Sequence, residues 1–257
     1  MQRTRTIAVA GATGRLGRHI VDVLEAQGHD VVSISRSTGV DVITGEGLAE
    51  ALSGVEYVID AATQPTPDQD AATEFFTTAA RNIQEAGERA GVRRIVVVSI
   101  VGTDRFSGGF LKAKFAHEQA MRAGSIPVQI LRATQFHEFV QQMVEWGTQG
   151  DVVYVPKTRT QLVAARSVAE ALADMVNGAD DAQQSNGAIP EIGGPRAETL
   201  AEMVKLLNSQ RGEPLQVEEV TNPADPDHEL LEHGALLPGP HATLTGPTFD
   251  EWLRTHG

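Results

Sequence analysis

Three glycines leave this chain few architectures. They stand in the run Gly11-Ala12-Thr13-Gly14-Arg15-Leu16-Gly17, directly after a short apolar strand pattern at 6–10 and at the head of an amphipathic helix pattern at 14–27. The first glycine permits a tight turn, the second lets another group approach the backbone, and the third lets the helix pack close to the strand. A helix that begins there points unpaired N–H groups and the positive end of its dipole past the strand end. A glycine-rich turn alone is a weak signal, and a plain tight turn is the bland reading. Set at the first strand-to-helix junction of a βαβ unit, it reads as a cradle for the pyrophosphate of a dinucleotide, with residues 11–17 as contacts.

The rest of the chain keeps the same rhythm. Strands are expected at 6–10, 30–35, 57–61, 94–100 and 128–131, several of them apolar on successive residues, as in a sheet buried on both faces. Helices are expected between them, at 14–27, 47–53, 71–90, 111–123 and 135–146. Strand then helix, repeated, predicts an α/β fold: a doubly wound parallel sheet, the Rossmann arrangement, with ligands at the carboxyl ends of the strands. Residues 1–150 form the expected dinucleotide-binding domain. Residues 151–257, with a strand at 152–155, helices at 168–176 and 200–207 and a Pro-rich tail, complete the sheet and form a small C-terminal substrate lobe.

Composition narrows the partners. The 257 residues carry 21 basic and 34 acidic side chains, a net charge of −13, which repels nucleic acid and anionic membrane alike. With no cysteine there is no disulfide, thiolate nucleophile, Cys-ligated zinc or iron–sulfur cluster. The opening residues run straight into a strand without an apolar signal region, and the expected setting is the cytoplasm. The expected partner is a small-molecule substrate; monomer and homodimer both stay open.

The second strand chooses the nucleotide. An acid at its end would bind the adenosine ribose hydroxyls and repel a 2′-phosphate. Here the strand ends Ser33-Ile34-Ser35-Arg36-Ser37, an arginine between hydroxyls, and Asp30 lies at the wrong end. Arg36 and Arg15 suit a 2′-phosphate, so NADP(H) is favoured over NAD(H). Asp41 and Val42 are placed for the adenine edge, and Ala61, Ala62 and Thr63 close the third strand with side chains small enough to admit the cofactor.

These residues carry a resemblance to a known family. The glycine turn, Asn82-Ile-Gln-Glu-Ala86, the stretch 90–99, Lys114-Phe-Ala-His-Glu118, Ile130 to Phe139, Ile192-Gly-Gly194 and Pro247 to Trp252 are together similar to the atypical short-chain dehydrogenase/reductases of the NmrA-like, NAD(P)H-binding subgroup. The resemblance implies a serine on the strand after the crossover and a Tyr-x-x-x-Lys on the following helix. Ser99 and Lys114 match the serine and the lysine; Phe110 stands at the tyrosine position. It also implies that Ala133, Thr134 and Phe136 line the nicotinamide end. His137, in the same segment, is a candidate acid in place of the tyrosine, against a helix-start histidine in solvent. A phenyl ring has no proton to give, and a positioned general acid is worth about 10²–10⁴-fold. That disfavours ordinary ketone chemistry and points to acceptors with delocalised charge: quinones, flavins, dyes, activated enones. A redox sensor that binds NADP(H) without turnover is the alternative.

Other patterns carry less. In His228-Glu-Leu-Leu-Glu232-His233 the four-residue partner of His228 is a glutamate, so no metal is expected. No nucleophile elbow or NTP-binding loop occurs. The pairs Asp180-Asp181 and Glu218-Glu219 read as solvated acids, and Trp146 and Trp252 as core or seam residues.

Overall fold

A computed structural model describes residues 3–64, 66–178 and 188–256, so Asp180 and Asp181 lie outside the described residues. In chain order the elements begin β1 (Thr6–Ala10), α1 (Arg15–Ala26), β2 (Asp30–Ile34), α2 (Leu48–Ala51), β3 (Tyr57–Asp60), α3 (Gln69–Ala90), β4 (Arg94–Ile100), α4 (Gly109–Arg122), β5 (Val128–Ala133) and α5 (Glu138–Gly147). Then come β6 (Thr148–Gln149), β7 (Val152–Pro156), β8 (Arg159–Thr160), α6 (Ala165–Asn177), β9 (Glu191–Gly193), β10 (Glu198–Thr199), α7 (Leu200–Arg211), β11 (Gln216–Val220), α8 (His228–Glu232), β12 (Thr243–Leu244) and α9 (Phe249–His256).

Seven strands pair in the order β12-β9-β5-β4-β3-β1-β2, a parallel sheet of the doubly wound kind. Parallel strands buried on both faces need apolar side chains at successive positions, and β1 and β4 supply them: Ile7 to Ala10 and Ile95 to Val98 are all buried. The register sets Ile7 beside Val31 on one flank and beside Tyr57 on the other. The strand order therefore reverses at β1, and the crevice beyond its carboxyl end is where such sheets bind ligands.

The chain divides into two compact units drawn from interleaved stretches. The first comprises Met1–Ser99, Gly109–Leu131 and Val168–Ile189; the second comprises Ile100–Gly108, Arg132–Ser167 and Pro190–Gly257. In the first, α1 buries Leu16, Ile20, Val23 and Leu24, one helical face turned to the sheet. The core there joins Ala8, Ile34 and Val58 from strands to Ile83 and Met121 from helices. α3 starts at Gln69, two residues earlier than expected, because the Asp68 carboxylate accepts the Ala71 N–H at 2.8 Å and caps it.

The second unit holds a three-stranded sheet, β11-β7-β6, and the β10-β8 pair. Val140 and Val144 of α5, Val153 and Val155 of β7, Val204 of α7 and Phe249 of α9 share its core. α5 starts at Glu138 rather than near Gln135, because the backbone of residues 135–137 is engaged by a neighbouring segment: Val163 N–H bonds the Gln135 carbonyl at 2.9 Å and His137 N–H the Val163 carbonyl at 3.1 Å. Trp252, partly buried, packs against this core on Phe249, but Trp146 is 65% exposed and corrects the reading of it as a core or seam residue. Among the described residues no helix is long and apolar enough to cross a membrane.

Candidate functional site

The turn after β1 is built from backbone. Gly11 sits at φ +76, with its N–H on the Ile34 carbonyl at 2.9 Å, and the Gly14 N–H closes the turn on the Gly11 carbonyl, also at 2.9 Å. A Cβ on Gly11 would come within 2.7 Å of the Ala61 carbonyl oxygen, and one on Gly17 would collide with the Gly11 carbonyl. Gly14 caps α1 with no side-chain hydrogen bond, so the first N–H groups of that helix face outward without a side-chain acceptor. Beyond them lies a cleft of about 830 Å³, within the range of small-molecule sites. This is a cradle that side chains would fill, and it fits a dinucleotide.

Of the expected cofactor contacts, Gly11, Thr13, Gly14, Arg36, Asp41, Val42, Ala61, Ala62 and Thr63 line this cleft together. Ala12, Leu16 and Gly17 are buried beneath the turn, and Arg15 is exposed at the first position of α1. Arg36 is exposed between Ser35 and Ser37, whose hydroxyls lie 2.9 Å apart. Asp41 shapes its own loop, its Oδ1 accepting the Ile43 N–H at 2.7 Å. The same loop is tethered from α3: the Asn82 amide donates to the Val42 and Ile43 carbonyls at 2.9 and 2.8 Å. Asn82 entered the sequence reading only as part of a motif; its work is to hold the loop that lines the cleft.

Where β3 ends, the cleft gives way to a buried polar cluster that the sequence reading did not assemble. Asp60 precedes Ala61 and Ala62, and its Oδ1 accepts the Ala62 N–H at 2.9 Å. Its Oδ2 accepts from His117 Nε2 at 2.9 Å, and His117 Nδ1 lies 3.0 Å from Lys114 Nζ. Asp60, His117 and Lys114 are 0%, 1% and 5% exposed. The Phe76 ring stacks on the His117 imidazole at 5.0 Å and underlies the Lys114 ammonium at 4.6 Å. Lys114 and His117 are three residues apart on α4 and share a face.

Burial pushes the Lys114 pKa down to about 8, against the pull of Asp60 and Glu118. Burial also lowers His117, helped by the Lys114 charge and opposed by the bond to Asp60. For Asp60 burial acts upward, but the His117 hydrogen bond and the charges of His117 and Lys114 outweigh it and leave the carboxyl below its usual range. At neutral pH the cluster is an ammonium donating to a neutral imidazole, which donates to a carboxylate.

Ser99, on β4, is buried, and its Oγ has no hydrogen-bond partner among the described residues. Phe110 meets Phe76 edge-on at 5.6 Å and joins a small apolar cluster with Ala72, Phe75 and Ala113. In the second unit, His137 is buried rather than solvated. Its Nε2–H donates to the Pro247 carbonyl at 3.1 Å, and its ring lies 5.5 and 5.4 Å from those of Phe249 and Trp252. Ala133 is buried, Thr134 Oγ1 donates to the Gln161 carbonyl at 2.6 Å, and Phe136 bridges to Val163. Among the described residues no group of three His, Asp or Glu is placed to hold a metal; Glu232 instead accepts from Thr221 and Lys157.

Comparison with known proteins agrees with this geometry. A family model described as NAD(P)H-binding matches residues 11–179. The chain is similar to the photosystem II assembly factor Ycf39 of Synechocystis sp., 32% identical over 109 residues, 37% of this chain and 33% of that protein. It is also similar to the L-arabinose 1-dehydrogenase (NAD(P)(+)) of Haloferax volcanii, 35% identical over 102 residues, 36% of this chain and 40% of that protein. The matches thus span between a third and two fifths of these relatives. Among solved structures, the NADPH-dependent quinone oxidoreductase QOR2 of Escherichia coli, complexed with NADPH, shares the fold at a TM-score of 0.65 and 19% identity, over 97% of this chain and 99% of that one.

Proposed function

The chain belongs to this NAD(P)H-binding family, and on that premise we propose that it is an NADP(H)-dependent reductase of small quinone-like, flavin-like or otherwise activated acceptors. The observation that carries the reading is the glycine-built cleft with Arg36, rather than an acid, at the end of β2. The outward N–H groups of α1 hold the pyrophosphate, Arg36 with Ser35 and Ser37 the 2′-phosphate, and the Asn82-tethered loop the adenosine. When bound, the nicotinamide supplies a hydride.

The chain's own contribution is placement and charge. Phe110 sits in an apolar cluster and offers no proton, so no tyrosine-type acid serves the acceptor. Lys114 remains as a buried cation that stabilises negative charge developing on the acceptor, with Ser99 offering an uncommitted hydroxyl. Acceptors whose reduced form spreads its charge need little more, because water can complete the protonation. QOR2, a quinone reductase by name, shares the fold, which is consistent with this acceptor class.

A second reading, an NADP(H)-binding regulatory protein without turnover, draws on the same Phe110 and on one relative being named an assembly factor. One experiment separates the two. NADPH oxidation is followed by its near-ultraviolet absorbance against menadione, free flavin and a cationic dye, after calorimetric titration with NADPH and NADH. Turnover of at least one acceptor with tighter NADPH than NADH binding supports the reductase. Tight NADPH binding with no turnover on any acceptor supports the regulator, and no binding of either coenzyme at millimolar levels overturns both.

A further inference from the structure

Burial works against the charge of Lys114, and the structure shows what stands on the other side. Among the described residues the ammonium meets a buried acceptor, His117 Nδ1, at 3.0 Å. His117 can accept there only while its proton sits on Nε2, and Asp60 Oδ2, 2.9 Å away, requires it to sit there. Asp60 is fixed in turn by the Ala62 N–H at 2.9 Å, in the peptide segment that lines the cleft. Each link sets the donor direction of the next, so the chain Asp60–His117–Lys114 has one consistent hydrogen pattern. Phe76 closes the remaining side, stacked on the imidazole and beneath the ammonium.

Resting on the reductase reading, we propose that Asp60 and His117 are positioning residues which fix the place and the charge of Lys114, so that the lysine serves as the standing cation of a site whose tyrosine position is a phenylalanine. The groups that act on Lys114 are Asp60 from β3 and His117 and Glu118 from its own helix, and α3 presents the uncharged Phe76 ring to it. Asp60 pulls the ammonium toward its charged state against burial, which leaves it about 8.

The substitution Asp60→Asn inverts the pattern. Its Oδ1 keeps the Ala62 bond, so its Nδ2–H must donate to His117 Nε2. That moves the imidazole proton to Nδ1, where it faces the ammonium donor to donor. The chain has four lysines, Lys112, Lys114, Lys157 and Lys205, so ¹³Cε NMR of lysine-labelled protein without coenzyme resolves each titration, and Lys114→Met assigns the signal. The expected result is a Lys114 titration at least one pH unit lower in Asp60→Asn than in wild type. The falling limb of kcat with NADPH and menadione moves by the same amount, a loss of about tenfold near pH 9. His117→Leu, which deletes the acceptor, shifts the lysine in the same direction and serves if Asp60→Asn does not fold. A Lys114 signal that titrates as in wild type in either folded variant overturns the proposal. Wild-type kcat in Lys114→Met would instead overturn the lysine's place in the reductase reading, while the NMR titration still decides whether Asp60 and His117 set its charge.

Discussion

The first unit handles charge in two opposite ways within one peptide segment. At the cleft, backbone N–H groups at the head of α1 are left without side-chain acceptors, and glycines keep that space clear of Cβ atoms. At the cluster, which begins one residue before Ala61, each group meets the next: the ammonium donates to the imidazole, the imidazole donates to the carboxylate, and the carboxylate also accepts the Ala62 N–H. The cleft is unsatisfied polarity kept for a ligand; the cluster is polarity paired within itself. Substitutions in the first should therefore change binding and leave folding largely intact, whereas substitutions in the second should change folding and titration before they change binding.

The largest effect belongs to Asp60→Ala. Removing one partner of a buried ionic network typically costs about 3–5 kcal/mol. Here the loss should fall near the lower end, about 3 kcal/mol in urea unfolding at neutral pH, because Lys114 can shed its proton once the carboxylate is gone. Stability within 1 kcal/mol of wild type would mean the cluster is not the closed network its distances describe.

Next in size is a pH dependence. Lys114 titrates at about 8 when folded, against the 10.5 usual for a lysine in water. The unfolded chain thus holds the proton more tightly. Between those two values it binds more protons than the folded chain, so stability rises with pH there and this group contributes no slope below 8. The rise is at most about 1.4 kcal/mol per pH unit and about 3 kcal/mol in all. It should vanish in Lys114→Met. A wild-type curve that falls across this window, by the same urea melts, would reverse the sign assigned to the burial of Lys114.

The two regions also differ in how plainly the sequence announces them. The cleft is made by backbone, and backbone demands leave local marks: glycines at 11, 14 and 17, successive apolar residues in β1, Arg36 where an acid could have stood. The strands 6–10 and 94–100 lie where the apolar runs place them, because burial on both faces is itself a sequence pattern. The cluster is made by side chains 57 residues apart, and nothing local pairs Asp60 with His117. Its one trace is His117 three residues after Lys114, on the same helix face. The short strands β9 and β12, the last two of the sheet on that side, carried no periodicity either, since three and two residues set none. Trp146 misled for the converse reason: an apolar side chain on an amphipathic helix reads as buried, yet its position falls on the exposed side of α5.

Gly17→Ala tests the cleft from below. The added methyl meets the Gly11 carbonyl, the same oxygen that accepts the Gly14 N–H, so the turn itself must shift. Overpacking of this kind costs about 1–3 kcal/mol. Where the turn shifts to escape the clash, coenzyme binding must restore it, and a restoring cost near 2 kcal/mol raises the NADPH dissociation constant about thirtyfold. The Lys114 titration should stay where it was. If it moved as well, the two regions would be one coupled structure and not the two kinds of polarity contrasted above.

The smallest effect is the most specific. Arg36 is exposed, lines the cleft, and makes no ion pair among the described residues, so Arg36→Ser removes little that the fold uses. A guanidinium–phosphate bond is charge-assisted, but exposure and salt screen it, which brings its worth toward 1–2 kcal/mol or about tenfold in affinity. The variant should bind NADPH about tenfold more weakly than wild type and NADH unchanged, by calorimetry at low ionic strength, and the gap should narrow as salt is added. Equal losses for both coenzymes would show that Arg36 supports the turn rather than reading the 2′-phosphate. No loss for either would hand that phosphate to Arg15, exposed at the first position of α1. Either result leaves the backbone cradle standing, because a pyrophosphate held by N–H groups does not depend on which side chain meets the adenosine ribose.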